Sequence, residues 1–283
     1  MSKAKAYETS VSIVDPAEAA RQMELIRDQR AKARRNFLKN VGLAGAGVAA
    51  GVVLQGCSSN SGTTSAATPS QTDVLNFALN LEYLEAEFYS FATTGAAFPS
   101  TITGVAGTAT GGKITAFVTP GLQNIANEIA LDEQNHVKFL RTALGGMAVA
   151  EPTITLAAMD GTEPTFLALA RAFEDTGVSA YGGAATLLSG DNLQYAAQIL
   201  ATEAYHAGNL RLRIILNGQT VAATDSEDIP PADPSHYFPV DSNSLSLIRT
   251  PSQVLAIVYG NSASGTSKGG FYPNGLNGNI TTV

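Results

Sequence analysis

The chain has 283 residues, 45% of them hydrophobic and 14% charged, with a formal net charge of −7. Nine of the 17 Lys and Arg fall in residues 1–56 against five of the 24 Asp and Glu, so the remainder carries 8 − 19 = −11. Such a composition supports a hydrophobic core; so acidic a body argues against nucleic acid, which needs basic patches to neutralise phosphate, and it suits metal cations.

Residues 1–56 read as an export signal rather than a folded unit. Arg34 and Arg35 lie in a twin-arginine pattern, Ala33 to Lys39. An apolar run of 14 mostly small residues follows, Val41 to Leu54. That length is short for a membrane span and right for the apolar region of a signal. Twin arginines before such a run resemble the signal of the Tat export pathway. The run ends Leu54-Gln55-Gly56-Cys57, which resembles a bacterial lipobox, with Cys57 lipidated as the first mature residue. The alternative is a short anchor that stays uncleaved. Cys57 is the only cysteine, so the mature body has no disulfide. The expected location is the cell envelope, periplasmic or on the outer face, with a lipid on Cys57 holding the protein to the membrane. Residues 57–71, rich in Ser, Thr, Ala and Gly, read as a flexible tether.

Four helical segments follow. The first, Thr72 to Ala92, starts behind a Ser70–Asp73 capping pair. At 100° per residue, Asn76, Asn80, Tyr83, Glu87 and Ser90 share a polar face opposite Val74, Ala78, Leu81, Phe88 and Ala92. Glu85 falls inside that apolar face and Glu82 at its edge. Two carboxylates turned toward a core are the anomaly, because buried Glu is rare unless paired or metal-bound. A Gly/Thr-rich stretch, 93–119, leads to the second helix, Gly121 to Leu144. Residues 145–162 cross over to the third, Glu163 to Leu188, with Pro164 in its first turn. The fourth runs from Asn192 to Leu216. Residues 217–283 read as an irregular tail wrapping the bundle, with one small helix at Gln253 to Tyr259.

The second helix carries Glu133-x-x-His136 between Ile129 and Leu140, and the fourth carries Glu203-x-x-His206 between Ile199 and Leu210. Residues three apart share a helical face, so each Glu and His can hold one metal together. The first helix has Glu82 and Tyr89, and the third has Glu174 and Tyr181, again seven apart. Seven residues are two turns, so each Tyr should stack on the side of its own Glu. The order Glu…Tyr, Glu-x-x-His recurs and reads as a duplicated helix hairpin. Each part alone is ordinary: a lone Glu-x-x-His is usually solvated, and a lone inward Glu or Tyr is usually packing. Together, one Glu from each of two helices and Glu-x-x-His from the other two make a two-metal carboxylate pattern. The expected fold is all-α, a four-helix bundle over 72–216 with a long crossover between helices two and three.

Residues 72–216 resemble the ferritin-like superfamily, with the ligand order of bacterioferritin and rubrerythrin. The wording LNFALNLEYLEAEFY, with KGGFYPNGLNG near the end, is similar to exported ferritin-like proteins of the desiccation-related type. By that resemblance Glu82 and Glu174 are terminal or bridging ligands, Glu133 and Glu203 bridge or chelate, and His136 and His206 each cap one metal. Glu85 adds a carboxylate that the third helix lacks, where Gly177 stands. It is either a switching ligand, as in rubrerythrin-like sites, or a partner hydrogen-bonding Tyr or His. Tyr89 and Tyr181 would orient a ligand or serve as one-electron donors, with plain packing the ordinary role. Mixed O/N donors suit two Fe, with Mn the alternative. The implied reaction is Fe(II) oxidation, or O2 or peroxide reduction, with an outside reductant because no rubredoxin-like Cys pairs are present. The competing function is a non-catalytic envelope or desiccation-related protein that keeps the fold; cage-type iron storage fits poorly with a lipid anchor. A homodimer is one assembly open to it. Asp132, Glu128 and Asp175 flank the pattern and read as solvated; His236, in the tail, reads as structural or exposed.

Overall fold

The computed structural model describes residues 68–103 and 107–283. The signal and lipidation readings at Arg34, Arg35 and Cys57 lie outside the described residues. Among the described residues no helix is long and apolar enough to cross a membrane.

Four long helices form the body: α1 Gln71–Thr94, α3 Leu122–Leu144, α4 Glu163–Ala184 and α5 Gly190–Leu216. A short α2, Ser100–Thr103, and a small α6, Pro251–Val258, complete the set. Helix α1 packs on α3 and α4 on α5, and the two hairpins meet where α1 touches α4. The sequence sets the boundaries. Ser70 and Asp73 form a reciprocal capping box at the start of α1, and Gly95, at φ 75°, ends it in the left-handed conformation. Thr162 caps α4 ahead of Pro164. That helix ends earlier than the sequence pattern suggests, finishing in a 3-10 turn at Ala185–Leu187.

One element was not expected. Two-residue strands, β1 Ala109–Thr110 and β2 Ile154–Thr155, pair in parallel and fasten the 95–121 connection to the crossover at 145–162. They are too short to show any alternation in the sequence.

The polar face read on α1 does not meet solvent. Every residue of α1 from Val74 to Ser90 is buried. The crossover and the tail cover it, and each buried polar group is matched. Asn76 donates to the Met147 carbonyl and accepts from the Val149 amide, both at 2.9 Å. Asn80 donates to the Asn277 carbonyl at 2.8 Å and accepts from its amide at 3.1 Å. Tyr272 donates to the Asn80 carbonyl at 2.7 Å, and Glu87 accepts the Phe98 amide at 2.9 Å.

Three buried arginines pin the tail to α4 and α5. Arg171 donates to Asp228 at 2.7 and 2.9 Å and to the Ala222 carbonyl at 2.9 Å. Arg211 donates to Asp175 at 2.7 Å and to the carbonyls of Ile229, Tyr237 and His236. Arg249 joins Asp225 to Ser179. Asp175 is therefore buried between Arg171 and Arg211 rather than solvated, because the tail that covers it comes from far along the chain. His236 lies exposed, as one of its two readings had it.

Candidate metal centre

The four long helices bring Glu82 from α1, Glu133 and His136 from α3, Glu174 from α4, and Glu203 and His206 from α5 to one place in the core. All four of these carboxylates are completely buried, and His206 is 8% exposed. Two groups of potential ligand atoms, each within 4.8 Å of one another, overlap there: Glu82, Glu133, His136 and Glu203, and Glu133, Glu174, Glu203 and His206. Glu133 and Glu203 belong to both, so they occupy the shared position between two donor sets.

Both imidazoles turn Nδ1 inward. His136 Nδ1 lies 3.1 Å from Glu82 and Glu133 and 3.4 Å from Glu203. His206 Nδ1 lies 3.1 Å from Glu133 and Glu174. The outward Nε2 of His206 meets Asp132 Oδ2 at 3.1 Å. Asp132 was read as a solvated flank. It instead reaches from α3 across to α5, where its carboxylate holds the far side of the His206 ring. A contact between helices leaves no mark in the spacing along either one.

The tyrosines are exchanged relative to the sequence reading. Tyr89 donates to Glu174 Oε1 at 2.5 Å, and Tyr181 donates to Glu82 Oε1. Helices α1 and α4 run antiparallel, so a Tyr two turns beyond its own Glu falls level with the Glu of the other helix. Burial, reinforced by the neighbouring carboxylates, pushes both phenols well above their usual range, so they remain donors.

Glu85 is buried but belongs to neither group of four. It lies beside Glu203, across from Gly177. A Cβ on Gly177 would come within 2.5 Å of Glu203 Oε2 and 3.5 Å of Glu85 Oε1. Gly177 is therefore more than a missing carboxylate: its lack of a side chain makes the room in which Glu203 sits.

The electrostatics follow from crowding five acids in a core. Burial pushes Glu82 up to about 7, with His136 opposing. Burial, then the neighbouring carboxylates, holds Glu85 and Glu203 well above the ordinary range. Burial also raises Glu174. Glu133 goes the other way: burial would raise it, but His136 and His206 pull it below the usual carboxylate range. Burial would lower both imidazoles, yet the carboxylates win; His136 is raised strongly and His206 is pushed up to about 12. In the metal-free protein, protons thus offset the negative charge that cations would otherwise balance.

Whether these residues fit a metal pair can be judged from their unmatched atoms. Glu133 Oε1 and both carboxylate oxygens of Glu203 are buried and accept no hydrogen bond, although His206 Nδ1 lies 3.1 Å from the first and His136 Nδ1 3.4 Å from Glu203 Oε1. Unmatched buried oxygens are costly and uncommon. Here they are the carboxylates shared by both donor sets, flanked by two inward Nδ1 atoms. The set fits metal cations that accept mixed O/N ligands.

Comparison with curated proteins finds no match to this chain. A model of the ferritin-like domain family matches residues 70–215, which covers the four long helices save the last residue of α5 and includes every residue of the cluster. With that match spanning more than half of its length, the chain belongs to the ferritin-like domain family.

Proposed function

We propose that this protein is an exported di-metal carboxylate oxidoreductase that oxidises Fe(II) with dioxygen or peroxide. The observation that carries the reading is the trio of unmatched buried oxygens on Glu133 and Glu203 between the two histidines. Glu133 and Glu203 would be held in common by two metals, with Glu82 and His136 completing one set and Glu174 and His206 the other. Four carboxylates balance two divalent cations. A ferrous pair held by these residues would supply the two electrons that, with two protons, reduce one dioxygen to hydrogen peroxide, leaving two ferric ions. The protein's own part is to fix the ligands. Tyr181 and Tyr89 hold Glu82 and Glu174 by hydrogen bonds, Asp132 holds His206, and Gly177 leaves Glu203 its place. Glu85, its carboxyl held well above the ordinary range by burial and by Glu203, would be placed to exchange a proton there.

The test is metal content and turnover together. The full chain supplied with Fe(II) and Mn(II) should take up about two metal ions, and the Fe(II) form should consume oxygen. Glu133→Gln combined with Glu203→Gln should lose both. Two bound metals without oxygen or peroxide consumption would support a non-catalytic envelope protein instead.

We also infer export by the Tat route and lipid anchoring at Cys57, on the strength of the Arg34-Arg35 and Leu54-to-Cys57 patterns. Cys57→Ala should release the protein in soluble form on cell fractionation. Arg34→Lys with Arg35→Lys should retain it inside the cell. Unchanged distribution in both variants would overturn the inference.

A further inference from the structure

The two halves of the bundle share a frame but fill it differently. Glu174 and Tyr181 lie 92 residues after Glu82 and Tyr89, so positions 92 apart correspond. Around Tyr89 the frame places Phe88, Phe166 and Phe173. Phe88 stacks on Phe166 at 5.5 Å between ring centres and meets Phe173 edge-on at 5.0 Å. Tyr89 meets Phe88 at 5.0 Å and Phe166 at 5.9 Å. That end of the core is filled by aromatic rings.

Around Tyr181 the corresponding positions hold Ala180, Val74 and Leu81. The smaller side chains leave space. A small crevice, with about 20 Å³ of room for the centre of a water-sized guest and part of it open to solvent, lies between the first turns of α1 and the last turns of α4. Ala180, Val74 and Leu81 line it with Ala184 and Tyr181, and Phe77 is the one phenylalanine in its wall. Tyr181 is the one lining residue that carries a polar side chain, and its hydroxyl donates to Glu82. The crevice is therefore bounded by a side chain bonded directly to the carboxylate cluster.

We propose that this crevice is the entry by which dioxygen reaches the centre, past Tyr181, and that the equivalent approach beside Tyr89 is closed by its phenylalanines. The reaction part rests on the function proposed above; the binding part does not. An apolar wall selects by hydration. A ferrous ion would have to shed its water shell without compensation, and peroxide would leave its hydrogen bonds behind. Dioxygen and xenon lose almost nothing there, and apolar cavities in protein cores stay dry and take up such guests.

The two halves supply their own test. Ala180→Phe and Val74→Phe install in the open half the side chains of the closed one, and Ala184→Leu is a milder filling. Melting curves identify which variants fold. Xenon under pressure should occupy the crevice in crystals of the parent protein and be absent from the filled variants. In the same variants, anaerobic Fe(II) uptake should be unchanged. Oxygen-dependent oxidation should slow about tenfold, an added barrier of about 1.4 kcal/mol, while peroxide-dependent oxidation stays near the parent rate. Absence of xenon from the parent crevice, or an unchanged oxygen rate in a variant that excludes xenon, overturns the proposal. If the parent binds Fe(II) but consumes no oxygen, the proposed function fails, and xenon occupancy alone decides whether the crevice is a gas site.

Discussion

Replacing Arg211 with methionine is expected to lower the unfolding free energy by about 3–5 kcal/mol. Arg211 is completely buried, and its guanidinium serves Asp175 and three tail carbonyls at once. Methionine fills much of the stem's volume but removes every donor. Asp175, 8% exposed, is left with Arg171 alone at 3.3 Å, and the carbonyls of Ile229, His236 and Tyr237 lose their partner. Leaving a buried charge under-compensated is what makes such changes expensive, more than loss of the attraction itself. In a domain of this size the loss corresponds to about 6–20 °C in melting temperature. Adding Asp175→Leu to Arg211→Met should recover part of it, because the orphaned acid goes too. A single variant that melts within about 2 °C of the parent would show that the tail is not held at this point.

Metal removal is expected to have an effect of similar size. Ligand bound only by the folded state stabilises it by about 2.7 kcal/mol per site at a hundredfold excess over Kd. That is about 5–11 °C per site, to be read from melts with chelator and then with Fe(II) or Mn(II) restored. The pH dependence has a definite sign. Glu82, raised by burial to about 7 in the fold, binds a proton more tightly there than in the unfolded chain. Its contribution to metal-free stability is complete below the unfolded value, near 4.5, and is lost as pH rises toward 7. Both histidines, raised in the fold, act in the same direction above their ordinary value of 6.5. Metal ligation requires those same protons to leave, so affinity rises with pH. The gap between metal-bound and metal-free melting should therefore widen from pH 5 to pH 8. Glu133→Gln with Glu203→Gln should abolish the gap. A gap that is constant across this range would contradict the proton-for-metal exchange.

Much of this architecture is legible in the sequence because it is written in local spacing. The Glu-x-x-His pairs at 133–136 and 203–206 need only helical periodicity to place their side chains together. The Ser70–Asp73 box needs only a capping rule. What stayed hidden depends on partners distant along the chain. Asn76 and Asn80 look like a solvent face until the crossover and Asn277 arrive to bond them. Asp132 and Asp175 look like surface acids until α5 supplies His206 and Arg211. The exchange of Tyr89 and Tyr181 between halves follows from the antiparallel pairing of α1 and α4, which neither seven-residue spacing contains.

The way the tail closes over α1 also sets an order of assembly. Asn80, in the first helix, is bonded by Asn277 and Tyr272, residues almost 200 positions later in the chain. Until they emerge, the Asn80 stripe has no cover and α1 cannot be enclosed, however well the four helices have formed. Completion of the core therefore waits until residues 272–277 have emerged, and contacts of such long sequence separation slow the final step of folding. A ribosome-bound chain can hold a bundle whose metal ligands are already near one another. Only once Tyr272 and Asn277 are out can it be sealed.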